Sequence, residues 1–170
     1  MASAQRAAGA PAASERLAQP RWVTVGRVAR YLGAAALVGV GVDHIWQFYV
    51  DSYSVIPTVG TLFALNFASA LVVALGLVVP LQRLSPRWGR ALLRLLAAGG
   101  AGIALGSFAG LEVSETTGLF GFMESGYRGA IVLSIALDAA ALIFLSTFLG
   151  AGWRSRPPGA TRPARTQRSR

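Results

Sequence analysis

Six polar residues stand inside or at the edge of otherwise apolar runs. Asp43, His44 and Gln47 lie in "GVGVDHIWQFYV", Asn66 in "TLFALNFASA", Glu112 in "GSFAGLEV" and Asp138 in "SIALDAAAL". His44 is the only His in 170 residues, and there is no Cys. A His beside a carboxyl can take up or pass a proton near neutral pH. A carboxyl deep among apolar residues serves either as a proton or cation relay or as a neutral, hydrogen-bonded strut. An Asn in such a run offers a donor and an acceptor to a neighbouring helix. Gln47 follows Asp43 by four residues and His44 by three, so on a helix it can join either. The missing chemistry also informs. Without Cys, disulfides, thiolate metal sites and cysteine nucleophiles are excluded. One His is too few for a haem or zinc site within one chain. No nucleophile triad, phosphate loop or dinucleotide fingerprint appears, so no catalytic residue, metal or cofactor is expected.

The elements that position these residues follow from composition. The chain is 54% hydrophobic and 14% charged, against about 25% charged in ordinary soluble domains. Crossing ~30 Å of hydrocarbon takes about 20 apolar residues in a helix. Four segments are long enough, at about 28–50, 58–80, 86–113 and 127–149. Ser85 is placed to cap the third, with Pro86 in its first turn. Pro57 suits the start of the second, and it forces Ile56 to be extended. The expected fold is all-α, a four-transmembrane-helix bundle between basic tails at 1–25 and 151–170 that read as disordered. The first 24 residues lack the short apolar run of a cleavable signal peptide.

The net charge of +9 would suggest nucleic acid in a soluble protein, but the basic residues are spaced otherwise. All sixteen are Arg. Apart from Arg128 they fall in three clusters, Arg6 to Arg30, Arg83 to Arg94 and Arg154 to Arg170, divided by the apolar runs. That is the spacing of membrane loops. Arg-rich short loops stay in the cytoplasm. Both termini are therefore expected inside, in a multi-pass protein of the plasma membrane. The Arg clusters would meet anionic lipid heads, and no nucleic-acid partner is expected. Asp51, Glu112, Glu115 and Glu124 fall on the outer side, where the three Glu read as a solvated rim, with a weak divalent-ion site as the alternative. Trp22, Trp88 and Trp153 mark the inner boundary. Trp46, Tyr49, Tyr53 and Tyr127 mark the outer one.

Helix rise then sets depths. His44 lies ~9 Å and Asn66 ~12 Å below the outer boundary, and Asp138 ~16 Å deep near the midplane. Glu112 closes the outer end of the third span. The tight turn between the first two spans would bring Asp43, His44 and Asn66 together. Asp138 could be held through Ser134 or by Arg94. Ala98, Gly102, Gly106 and Gly110 form a small-residue stripe on the third span, as do Ala35 with Gly39 and Asn66 with Ala70 and Ala74. Such stripes let helix backbones touch within a bundle or, as the alternative, in a homo-oligomer.

The run "DHIWQFYVDSYSVIPTVGTLFALNFASA" resembles the signature of a family of small four-span integral membrane proteins of actinobacteria. Those carry a His near the end of the first helix, a tyrosine-containing turn, an Ile-Pro-Thr-x-Gly start and a Leu-Phe-x-Leu-Asn second helix. The matching positions are His44, Tyr53, Ile56, Pro57, Thr58, Gly60, Leu62, Phe63, Leu65 and Asn66. "GLFGFMES" and the acidic residue of the fourth span are similar too, with Asp138 where the family more often has Glu. The resemblance covers roughly residues 31–149. That family has no assigned activity, so the resemblance implies the fold and none of the chemistry.

Three functions are compatible with this inventory. The leading one is non-enzymatic: a structural or accessory membrane subunit, or a binder of a small lipophilic ligand. The alternative is a small oligomeric proton- or ion-coupled transporter using Asp138 and the Asp43, His44 and Asn66 group. The third is a membrane-embedded enzyme acting on lipid or quinone with His44 as base.

The topology is directly testable. Reporter fusions after Leu84 and Arg156 should read as cytoplasmic and those after Ser54 and Thr117 as external. An external signal after Leu84 would overturn the orientation.

Overall fold

Pro57 occupies the first turn of a helix, and Ile56 before it is extended at φ −100° and ψ 101°, the conformation a residue preceding proline favours. The computed structural model describes residues 13–124, 126 and 128–154, with side chains from Arg21 onward. In chain order the elements are α1 (Ala13–Val50), a 3-10 turn (Tyr53–Val55), α2 (Pro57–Val78), α3 (Leu81–Leu84), α4 (Trp88–Thr116) and α5 (Gly129–Arg154). Among the described residues the sole extended pairing is an isolated bridge between Leu119 and Phe122. Arg21–Val50, Pro57–Val78, Trp88–Thr116 and Gly129–Arg154 are long and apolar enough to cross a membrane. The chain is thus an all-α bundle of four helices with the length and apolarity of membrane spans. Val72, Leu95 and Ile143, on three different helices, are each more than half exposed, as side chains facing lipid would be. The parts of the expected tails at 1–12 and 155–170 lie outside the described residues, as does Tyr127.

α1 is the central helix, packed against both α5 and α2. Two of its glycines make the close approach to α5. A Cβ at Gly33 would lie 2.6 Å from Leu145 Cδ2, and one at Gly39 would lie 2.7 Å from Leu137 Cδ2. Leu37, Leu77 and Leu145 are fully buried among Ala34, Ala74, Ala97, Ala104 and Ala141. The core is therefore leucine knobs set into small-residue holes, the packing that apolar helices use where lipid gives no hydrophobic advantage to association. α1 also begins earlier than the span expected from Val28. Residues 21–27 continue it, with Gly26 seated on Ala151 of α5.

Two sequence expectations are corrected. The inward stripe of α4 is Leu93, Ala97, Gly100 and Ala104, whereas Ala98, Gly102, Gly106 and Gly110 make no helix contact of the kind expected. Ala98 is exposed, a Cβ at Gly102 or Gly106 would meet nothing within 4 Å, and one at Gly110 would reach only Leu119 at 3.9 Å. Small residues occupy more than one face of α4, so spacing alone does not choose between faces. The knobs Leu37 and Leu145 do, because both press on Gly100. Ala35 is likewise exposed on α1, while Ala70 and Ala74 are buried on α2 as expected. The second correction concerns Ser85. It ends the short helix α3 rather than capping α4, and its backbone carbonyl accepts the Gly89 N–H at 2.8 Å. α3 folds tightly onto the start of α4, because a Cβ at Gly89 would stand 2.2 Å from the Leu81 carbonyl oxygen.

Gly60 explains the end of the Ile-Pro-Thr-x-Gly run. A Cβ there would lie 2.7 Å from the carbonyl oxygen of Tyr53, so the turn rests directly on the α2 backbone. Gly60→Ala should cost about 1–3 kcal/mol, as overpacking does, and lower the thermal midpoint in detergent. Gly106→Ala should leave it unchanged. Equal midpoints for both variants would mean that the turn does not pack on α2.

Candidate functional site

The acidic end of the bundle, where Asp51, Glu112, Glu115 and Glu124 lie, contains a cavity of about 490 Å³ between α2 and α4, backed by α1 and α5. It exists because α2 and α4 meet only toward the opposite, arginine-rich end. There a Cβ at Gly76 would stand 2.8 Å from Leu96 Cδ1, and one at Gly100 would stand 3.2 Å from Val73 Cγ1. Farther along, Gly102, Gly106 and Gly110 line the cavity opposite Phe63, Asn66 and Ser69. The glycine stripe therefore makes a wall without side chains.

Two hydrogen-bonded groups meet behind this space. In the first, Gln47 Nε2 donates to Asp43 Oδ2 at 2.7 Å and lies 2.9 Å from Ser134 Oγ. Ser134 also donates to the same Asp43 oxygen. All three residues are buried, and they tie α1 to α5. In the second, His44 Nδ1 donates to the Val40 carbonyl at 2.9 Å. That fixes the tautomer and leaves Nε2 to face Ser107 Oγ at 3.2 Å. Asp138 lines the same cavity as Ser107 and His44.

Several polar atoms at the cavity have no partner. Asn66 Oδ1, Asp138 Oδ1 and Ser114 Oγ are all buried without a hydrogen bond, and all three residues line the space. Buried polar atoms are normally satisfied, and leaving one unsatisfied costs about 1–3 kcal/mol.

Aromatic rings and a charged clasp complete the acidic end. The His44 and Phe63 rings are 4.9 Å apart, Tyr53 stacks on Phe63 at 4.6 Å, and Phe122 meets Tyr53 edge-on at 5.5 Å. The column runs from the polar group to the turn. Above it the Tyr53 hydroxyl donates to Glu124. Arg128 donates to Tyr53 Oη at 2.9 Å, bonds Glu124 at 3.4 Å and lies 3.8 Å from Asp51. Burial, and then the bond to Glu124, push the Tyr53 phenol above its ordinary pKa. A raised folded-state pKa means that this contribution to stability is complete below pH ~10, the unfolded value, and is lost as pH rises beyond it.

The structure brings Asp43, His44, Gln47 and Asp138 together, but not as one cluster with Asn66. Asn66 stands on α2 and bonds neither Asp43 nor His44. Glu112 is half-buried and outside the cavity lining. Ser134 pairs with Asp43 rather than Asp138, and Arg94 lies against Gly152 at the far end. Glu124 is not a solvated rim residue, because it is only 8% exposed. Ser107 and Tyr53 were the residues that sequence reasoning missed as site members. Helix depth held the signal for Ser107: it lies nine residues from the end of α4 at Thr116, and Asp138 nine from the start of α5 at Gly129, ~14 Å in each case. Among the described residues no group of three His, Asp or Glu could hold a metal ion.

The clasp can be tested by a double-mutant cycle. Tyr53→Phe should cost about 1–3 kcal/mol by leaving Glu124 short of a donor. Its effect should be non-additive with Glu124→Gln by at least about 0.5 kcal/mol; strictly additive losses of thermal stability would show that the two groups are not coupled. In comparisons with known proteins, no family model, no curated protein and no solved structure matches the chain, so the cavity and its polar groups carry the functional reading.

Proposed function

We propose that this chain is a non-enzymatic multi-pass protein of the plasma membrane that holds a lipophilic molecule in the outer half of the bilayer. Its termini lie in the cytoplasm, and it belongs with the small four-span actinobacterial proteins that it resembles. One observation carries the reading: a cavity of about 490 Å³ with a glycine wall, an aromatic column and buried, unpartnered oxygens of Asn66 and Asp138. Its volume is within the ~300–1,000 Å³ of small-molecule sites, which pair mostly apolar walls with a few convergent polar groups. The unpartnered oxygens are acceptors, so they suit a head group that donates through hydroxyl or N–H. The body of such a molecule would lie along Phe63 and Tyr53, against the glycines of α4. Two titratable groups at one cavity, His44 and Asp138, favour a second reading, a proton-coupled transporter. In that case His44 and Asp138 would exchange protonation as cargo passes.

Gly106→Leu separates these from a purely structural role. A Cβ there meets nothing within 4 Å, and the position lines the cavity, so a larger side chain can occupy that space. The variant should fold and melt like wild type, yet lose a lipophilic species that wild type retains at stoichiometric level in native mass spectrometry. Gly99→Leu, exposed and outside the cavity lining, should keep it. Equal retention in both variants, or only bulk phospholipid in the wild type, would sink the ligand-binding reading.

A further inference from the structure

The opposite end of the bundle has a pocket of its own, and it is basic. A space of about 190 Å³ lies between the start of α1, the end of α5 and α3. Arg27, Arg30 and Gln82 give it a polar side, and Trp22, Val23 and Phe148 give it an apolar one. Two more guanidinium groups stand against its lining: Arg94 lies 3.7 Å from where a Cβ of Gly152 would be, and Arg154 lies 4.6 Å above the Trp22 ring.

Arg30 is the unusual member. It is only 5% exposed. Its Nη1 donates to Gln82 Oε1 at 3.2 Å and its Nη2 to Tyr31 Oη at 2.7 Å, while its Nε is buried with no partner. Among the described residues the ion pairs belong to Arg128 at the other end. The Arg30 guanidinium also lies over the Tyr31 ring, 4.6 Å from the centroid, but among the described residues no carboxylate is near. Of the chain's seven acidic residues, six lie from Asp43 onward in the acidic half or near the midplane. The seventh, Glu15, precedes Arg30 by fifteen residues, ~22 Å along a helix. A guanidinium taken out of water without an anion is destabilising, and an anion restores the balance.

We propose that this pocket binds a phosphate group, with Arg30 as the buried anchor and Arg27 as the second cation. Guanidinium groups recognise phosphate through paired N–H donors, and the Arg30 Nε–H has no partner within the chain. The level in the bilayer agrees. About 20 residues of helix cross the hydrocarbon; counted back from Val50 they end at Tyr31, next to Arg30. Counted from Gly129 they end at Phe148, in the pocket wall. The site therefore lies at the boundary between acyl chains and head groups. Its apolar side at Val23 and Phe148 suits the first carbons of an acyl chain, so the phosphate of an anionic phospholipid fits better than a free ion. The volume takes a head group and not a whole lipid. This site is independent of the ligand cavity at the acidic end.

The test uses the full chain, delipidated in a neutral detergent. Phosphatidylglycerol should raise the thermal midpoint, with one lipid retained in native mass spectrometry, and phosphatidylcholine should not. Arg30→Gln should abolish the shift. Arg27→Gln should weaken it about tenfold or more in concentration, the scale of one charge-assisted hydrogen bond. Arg87→Gln, exposed at the same end but outside the pocket, should leave it unchanged. An Arg30-dependent shift from inorganic phosphate, with none from phosphatidylglycerol, would keep the phosphate site and assign it to a soluble source. Equal shifts from the two lipids would overturn the proposal. So would equal losses in Arg27→Gln and Arg87→Gln, a comparison that decides the matter even where Arg30→Gln fails to fold.

Discussion

Gly33 and Gly39 let α1 take the side chains of Leu145 and Leu137 against its backbone, and that contact decides where the polar residues of two helices point. A helix in hydrocarbon has no water to satisfy its side chains, so a polar residue must face another helix. With α1 locked on α5 through its glycines, Asp43 and Gln47 meet Ser134, and His44 is carried round toward Ser107 on α4. Rotating α1 by one residue would move these groups ~100° toward lipid. The greasy contact and the polar one therefore specify the same register.

The cavity follows from what α4 lacks. Its Ala and Gly residues at 97, 100 and 104 accept knobs from α1 and α5, and this draws the arginine-end half of the helix into the core. Beyond Ala104 this face passes through Ser107, Leu111 and Ser114, all lining the cavity, and the two serines are too small to reach across to α2. The glycines beside them add nothing. α2 is held elsewhere, by Gly60 beneath the turn and by Ala70, Ala74 and Leu77 in the core, so it cannot tilt inward to close the gap. Such a gap in a bundle costs packing energy in proportion to its size. Its polar lining includes His44 and Asp138, groups that a merely structural helix contact does not require.

Much of this was legible from residue order. Hydropathy and length located all four spans, and Pro57 located the start of α2 within a residue. The i+4 spacing of Asp43 and Gln47 allowed the bond that forms, but it left His44 open as the alternative partner. Other features depend on information that local sequence does not hold. The glycine stripe of α4 was read as a contact because close approach is what such stripes permit. Permission is not contact, and the facing helix determines which small residues are used. Glu124 looked solvated because it sits in a loop, but that loop folds back through the Leu119 and Phe122 bridge onto Tyr53. Ser107 was hard to see, and Ser134 was given the wrong partner, because a serine in an apolar helix can also bond its own backbone, as Ser69 does to Leu65. Only the partner helix separates the two uses.

The charges at the two ends obey opposite rules, and the contrast bears on where ligands belong. At the acidic end the single arginine, Arg128, is shared by Asp51, Glu124 and the Tyr53 hydroxyl, so Glu124, the carboxylate of this clasp that lines the cavity, has its counter-charge within the chain. That leaves hydrogen bonding, not net charge, as the unsatisfied quantity in the neighbouring cavity, and a neutral head group answers it. At the arginine end the situation is reversed. Arg30 has hydrogen-bond partners in Gln82 and Tyr31 but no carboxylate, so the unsatisfied quantity is charge. A bilayer supplies phosphates at that level, and a sequence that carries its acids elsewhere can rely on them. Each end thus lacks what a bilayer can provide: an amphipathic molecule at the acidic end, and an anion at the arginine end.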